Sequence, residues 1–394
     1  MLAVRSGRAA RIGGDGVSGK LLLLAGTAAV AAQAVLVPVP AAAVPEPRDR
    51  SVATLLTDLQ RLYREAERAT ETYNATEERL KQRRAEARRL DAALARTRLS
   101  LHDSRGAAGR LARQQYQTST DISPYVRLLL ARSPQHALDQ GHVIGRLARE
   151  RAETVGRLTG GEKRAGELAR RARKALDDQL SLTERRRRER DDVRERLDRV
   201  EELLSSLDAD RLSALAAYER RGIAKAQRRF VASGALSSVR SPSKEGERAV
   251  RFAVRQLGKP YAWGAAGPAA YDCSGLTSDA WEHAGTPIPR TSQEQWARLK
   301  RIPLDRLRPG DLVIYFPEAT HVALYLGDGR VLQAPRPGAR VKVSPIAANP
   351  VLGAVRPDPG GKPLRRYAPP ELPEGAGRGS DEGYAPAAPE TSIR

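Results

Sequence analysis

From Leu59 onward, apolar positions return at alternating steps of three and four. They are Leu59, Leu62, Ala66, Ala69, Tyr73, Thr76, Leu80, Arg83, Ala87, Leu90, Leu94, Thr97 and Leu101, ten of the thirteen apolar, with flanks mostly of Arg, Glu and Gln. This is a heptad seam, the pattern of a helix that supercoils on a partner. The pattern breaks at 118–124, gives an apolar patch at 125–130, and is interrupted again by Ser133, Pro134 and Gly141. A second helical stretch is predicted at 143–229, with Val193, Leu197, Val200, Leu204 and Leu207 in the same rhythm. Two long helices around an interruption predict an antiparallel hairpin with the apolar patch at its tip, in preference to pairing with another chain.

Beyond a Ser-rich linker at 231–244 the periodicity changes. A helix is predicted at 245–257 with Gly258 as its stop. A second opens at Asp272, a good N-cap, and carries Leu276, Ala280, Trp281 and Ala284 before Gly285. His321-Val322-Ala323-Leu324-Tyr325-Leu326 alternates as a strand, and Gly327-Asp328-Gly329 turns it back towards Ala334. A three-residue turn pairs Gln333 with Ala323, diagonal to His321; a two-residue turn would put Gln333 on the opposite face. The organisation predicted is a signal peptide at 1–43, a coiled-coil region at 48–230, the linker, a mixed domain at 245–360, and a disordered tail at 361–394 rich in Pro, Gly, Ala and Glu. Trp263 and Trp281 read as core, Asp311 as a turn residue after Pro309-Gly310, and Ser292 as a helix N-cap.

Charge separates the two regions. The chain of 394 residues has 68 Lys+Arg against 47 Asp+Glu, and residues 48–229 hold 42 of the basic and 29 of the acidic groups. A basic rod invites a nucleic-acid reading. The amino terminus argues against it: Arg5, Arg8, Arg11 and Lys20 precede an apolar run at 21–30 and small residues at Ala41 and Ala43, the pattern of an export signal. Export makes the protein secreted, with a retained membrane anchor as the alternative; its basic rod would be drawn to polyanions outside the membrane, such as wall phosphopolymers or lipid headgroups, and no nucleic acid is expected as a partner. The single cysteine excludes an internal disulfide, a multi-thiolate zinc site and a Cys-x-x-Cys redox pair. No metal-ligand spacing is present, and neither metal nor cofactor is expected.

The chemistry concentrates after residue 245. Cys273 falls in the first turn behind Asp272, where the helix dipole and free amides favour a thiolate and could hold an oxyanion. A nucleophilic thiol needs an imidazole, and the imidazole needs an acceptor to orient it. His321 and Gln333 are the candidates, since His102, His136 and His142 lie in the rod and His283 lies late on the cysteine helix.

The ordered set is more specific than its members. Gly258-Lys259-Pro260-Tyr261-Ala262-Trp263-Gly264, Tyr271-Asp272-Cys273-Ser274-Gly275-Leu276, Pro289-Arg290-Thr291-Ser292 with Gln295, Pro309-Gly310-Asp311-Leu312-Val313, the His321 strand and Gln333-Ala334-Pro335-Arg336 follow one another along the chain. In that order they resemble the NlpC (NlpC/p-sixty) family of bacterial cell-wall cysteine peptidases. The resemblance implies an α+β papain-like C-terminal domain preceded by a long all-α coiled-coil region. It implies Cys273 as nucleophile, His321 as base and Gln333 as the residue orienting it, with Tyr261, Asp272, Ser274, Arg290 and Ser292 lining the substrate groove. Many members have His where this chain has Gln333, which can accept from the imidazole but brings no charge. The implied reaction is hydrolysis of an amide in the peptidoglycan stem peptide, typically between D-glutamate and the diamino acid. The coil would localise or restrain the enzyme and offer a surface to a cell-division or membrane protein. A non-catalytic wall-binding or divisome adaptor on a degenerate enzyme domain is the competing reading.

Overall fold

The structure is a computed structural model that describes residues 50–118, 124–236 and 240–377. The signal peptide expected at 1–43 and the part of the tail beyond 377 lie outside the described residues. Helix α1 runs from Val52–Thr118, the short α2 from Pro124–Leu129, and α3 from Pro134–Ser205. The long helices pack antiparallel: Glu65 pairs with Arg196, Glu77 with Arg186 and Arg105 with Glu162. Leu59, Ala66, Ala69, Leu80, Leu90, Leu94 and Leu101 of the seam are buried, and Val193 and Val200 face them from α3. At the far end Tyr125, Leu129 and Leu130 are exposed.

The second helical stretch differs from the sequence reading. It starts at Pro134, capped by Ser133, and breaks at 206–208, where Asp208 caps a new helix, α4, at Ala209–Ala232. The break turns Leu207, Leu215 and Ala216 onto the base of α1, closing an apolar cluster with Leu55, Leu56, Leu59 and Tyr63.

The rest of the chain is an α+β domain. Helices α5 (Lys244–Val254), α6 (Cys273–His283) and α7 (Ser292–Arg298) accompany six strands. These are β1 (Lys300–Ile302), β2 (Leu312–Tyr315), β3 (His321–Gly327), β4 (Arg330–Gln333), β5 (Lys342–Pro345) and β6 (Val351–Arg356). They form one antiparallel sheet in the order β1-β6-β2-β3-β4-β5. One face, with Val322, Leu324 and Leu332, packs on α5 and α6 around Trp281. The other, with Val313, Ala323 and Val331, receives Phe230 of α4 and Leu236. The linker therefore joins two elements that already touch: Gln227 of α4 donates to the Gly329 carbonyl and accepts from the Ala347 amide.

The segment after Pro359 also departs from the predicted disordered tail. Leu372 and Ala376 pack on the core, Arg308 donates to the Gly361 carbonyl, and the Val343 amide donates to Ala376. Residues 361–377 are thus pinned by contacts that their Pro- and Gly-rich composition does not reveal. Asp311 takes the expected structural role, accepting from the Arg308 amide and from Arg356.

Candidate functional site

Asp272 caps α6 by accepting from the Gly275 amide at 2.6 Å, which sets Cys273 at the first helical position. Gly275 is required there, because a Cβ would run into the Ala265 carbonyl of the preceding loop. His321 opens β3, whose second residue, Val322, packs in the same cluster as Cys273 and turns its backbone amide to the thiol. Gln333 closes β4, and its Oε1 stands 2.7 Å from His321 Nε2. Its Nε2 donates to Ser344 Oγ at 2.9 Å, which turns the amide carbonyl towards the ring.

The turn that brings His321 and Gln333 together is not the three-residue turn of the sequence reading. Gly327 pairs with Arg330 across the two-residue turn Asp328-Gly329, but the register shifts between Tyr325 and Gly327, leaving Leu326 as an extra residue on β3. That bulge restores the parity: Leu324 opposes Leu332, so Gln333 stands beside Ala323 on the face of His321.

The groove residues gather around the same point. Arg290 grips Asp272 with both terminal nitrogens, at 3.0 and 2.7 Å, and donates to Ser274 Oγ at 2.9 Å. Tyr261 packs at the core's edge with its phenol close enough to Cys273 that burial and then the sulfur push its pKa well up. Ser292 is not the N-cap of α7; Thr291 is, accepting from the Glu294 amide, while Ser292 Oγ donates to the Ala319 carbonyl. Trp281 is core, but Trp263 is not: it is half-buried and meets Tyr73 of α1 edge-on, ring centroids 5.1 Å apart.

Next to Tyr73, α1 also carries a row absent from the sequence reading. Tyr63, Glu67, Glu71 and Asn74 follow at steps of four, four and three along α1, a second face beside the seam. This face lies over the groove. Glu67 Oε1 is 3.2 Å from His321 Nδ1, a charge contact without hydrogen-bond alignment. Glu71 Oε1 accepts from Ser274 Oγ at 2.6 Å and from the Cys273 thiol at 3.8 Å, and its Oε2 accepts from the Ser292 amide at 2.8 Å. Asn74 donates to Asp272 Oδ2 at 3.0 Å. Beside the row, Glu219 of α4 pairs with Arg336, whose guanidinium lies over the Tyr63 ring. The thiol, the imidazole and Ser274 are almost wholly removed from solvent.

The electrostatics follow from this cover. Burial, then Glu71, Asp272 and Glu67, push the Cys273 thiol well above its ordinary pKa against the opposing Val322 amide. The helix-terminus advantage predicted from sequence is overridden in this state. Burial alone would lower the His321 pKa, but Glu67 and the Gln333 carbonyl outweigh it and the imidazolium is favoured. Glu71 itself is pushed up to about 7, by burial first and Asp272 second. No group of metal-ligating side chains is found among the described residues.

Comparison with known proteins bears on the same domain. The NlpC/P60 family model matches residues 258–353. The C-terminal domain belongs to this family. The NlpC/P60 domain is 47% identical over 89 residues to a Corynebacterium glutamicum protein named "Probable endopeptidase", covering 23% of this chain and 43% of that one. It is 38% identical over 123 residues to the peptidoglycan endopeptidase RipA of Mycolicibacterium smegmatis, covering 27% of this chain and 25% of that one. The chain thus spans less than half the length of these curated relatives. Among solved structures, the NlpC/p60 domain of the peptidoglycan hydrolase SagA is similar at 32% identity and a TM-score of 0.27, over 28% of this chain and 97% of that one. RipD of Mycobacterium tuberculosis, described as a non-catalytic NlpC/p60 protein, is similar at 30% identity and a TM-score of 0.27, over 29% of this chain and 98% of that one.

Proposed function

We propose that the protein is a peptidoglycan hydrolase: a thiol-dependent endopeptidase that cleaves an amide of the cell-wall stem peptide, with the D-glutamyl–diamino acid bond as its target. The observation that supports this reading is the bonded pair Gln333–His321 on the strands that border Cys273, with the amide of the adjacent Val322 turned to the thiol. Here a carboxamide oxygen fixes Nε2, while Nδ1 faces Glu67 of α1 and becomes available to the thiol once α1 leaves the groove. In the open site the imidazole takes the thiol proton, the thiolate attacks the amide carbonyl, and the Cys273 amide with Tyr261 faces the oxyanion. His321 then returns its proton to the leaving amine, and water releases the acyl group. Gln333 orients the ring without charge, so it supports the imidazolium less strongly than a carboxylate would.

The coil restrains the enzyme in this account, since α1 fills the groove that a peptide must enter. Its exposed tip is where a cell-division or membrane protein would act on the restraint. Secretion to the wall follows from the amino-terminal pattern, and no described helix is long and apolar enough to cross a membrane. The test is mass spectrometry of defined muropeptides incubated with the full mature chain, alone and with α1 unseated by substitution. Cys273→Ala and His321→Ala versions serve as controls. New peptide termini that require both residues support the reading. No cleavage in any form would favour the adaptor.

A further inference from the structure

Glu71 meets an unusual set of partners for a residue on a coiled-coil helix. Three donors converge on its carboxyl, namely the Ser274 hydroxyl, the Ser292 amide and the Cys273 thiol, and Arg290 braces the first of them from behind. All four belong to the domain, and all stand beside the candidate nucleophile. A buried carboxyl is costly unless its oxygens are met, and these donors meet both. One helical turn to either side, Glu67 reaches the base and Asn74 reaches the far oxygen of Asp272. The helix thus places one polar group on each working part of the groove.

We propose that Glu71 is a pseudosubstrate carboxyl. Ser274, the Ser292 amide and Arg290 form a seat for a free carboxylate that the peptide substrate carries beside its scissile bond, and α1 keeps the site closed by holding that seat. The identity of the ligand rests on the endopeptidase reading; the seat itself rests on the donor geometry. Closure is therefore a competition for one carboxylate position rather than obstruction by bulk. Substrate engages only after the Glu71 carboxyl has left.

The experiment uses the full mature chain, whose single cysteine gives one adduct with neutral iodoacetamide, followed by intact-mass spectrometry at about pH 7.5. The unchanged chain is expected to react slowly, and Glu71→Ala about tenfold faster, since its donors lose their acceptor. Glu71→Gln puts a carboxamide in the place of the carboxyl, as propionamide would, so it is expected to react nearer the Glu71→Ala rate than the unchanged one. Propionate should return Glu71→Ala towards slow alkylation, and propionamide should not. Arg68→Ala, at an exposed pair with Glu318, is the control for general loosening of α1. Should Glu71→Ala fail to melt like the unchanged chain, Glu71→Ser takes its place in the same comparison. Equal rates for the unchanged and substituted chains would overturn the proposal, as would equal effects of propionate and propionamide. Alkylation requires no turnover, so these outcomes stand apart from any failure to cleave muropeptides, which would overturn the ligand's identity alone.

Discussion

The N-terminal helical region touches the NlpC/P60 domain in two ways, and the chemistry of the two contacts is opposite. Helix α4 sits on the sheet face away from the thiol through Phe230, with Leu236 beside it and Gln227 bonded to backbone. Helix α1 crosses the groove through Glu67, Glu71 and Asn74, with Tyr73 against Trp263. An apolar contact loses its driving force wherever it is exposed to water. A polar contact can exchange its partners for water or for a ligand at a small net difference. The α4 contact is suited to staying in place and the α1 contact to leaving.

Four substitutions and one titration sharpen or break this contrast. The largest effect is expected at Arg336, which ties both helices to the loop after Gln333. Arg336→Ala removes the guanidinium that bonds both carboxylate oxygens of the buried Glu219 and should cost about 3 kcal/mol in chemical denaturation. Phe230→Ala removes apolar packing from the anchoring contact and should cost about 1–2 kcal/mol, with little change in Cys273 reactivity. Glu71→Ala should do the reverse, changing thiol reactivity with a smaller change in the melting midpoint.

A smaller effect is expected from pH. Glu71 is pushed up to about 7 under α1 and returns to an ordinary carboxyl value near 4.5 when α1 lifts. The closed form therefore holds an extra proton between those values. Its closing strength is full below the open-state value and is lost as pH rises towards 7. The raised pKa values of Cys273 and His321 act in the same direction. Log alkylation rate against pH should thus rise more steeply for the unchanged chain than for Glu71→Gln over this window, and parallel lines would refute the linkage. The smallest effect is expected at Arg68→Ala, whose exposed pair with Glu318 should contribute under about 0.5 kcal/mol.

Much of this was legible in the sequence because single rules governed it. The heptad seam fixed the buried face of α1, and Asp272 announced the cap that presents Cys273. Gln333 reached the face of His321, but through a two-residue turn and the bulge at Leu326, which alternation alone does not reveal. The break before α4 needed the tertiary cluster around Leu207 and Leu215. The row Tyr63, Glu67, Glu71 and Asn74 was hidden for a different reason. Polar residues beside a seam ordinarily face solvent, and nothing local marks these for burial against a groove about two hundred residues away in sequence. Thr291 took the cap from Ser292 because the Ser292 hydroxyl was already committed to Ala319. Trp263 left the core because α1 offered it Tyr73.

The most direct measurement is the release of new peptide termini from muropeptides by the unchanged full chain and by Glu71→Ala, side by side and each with a Cys273→Ala counterpart. The account predicts that Glu71→Ala cuts faster than the unchanged chain and that both activities vanish without Cys273. Equal cutting by the two chains, or cutting that survives the loss of Cys273, would contradict it.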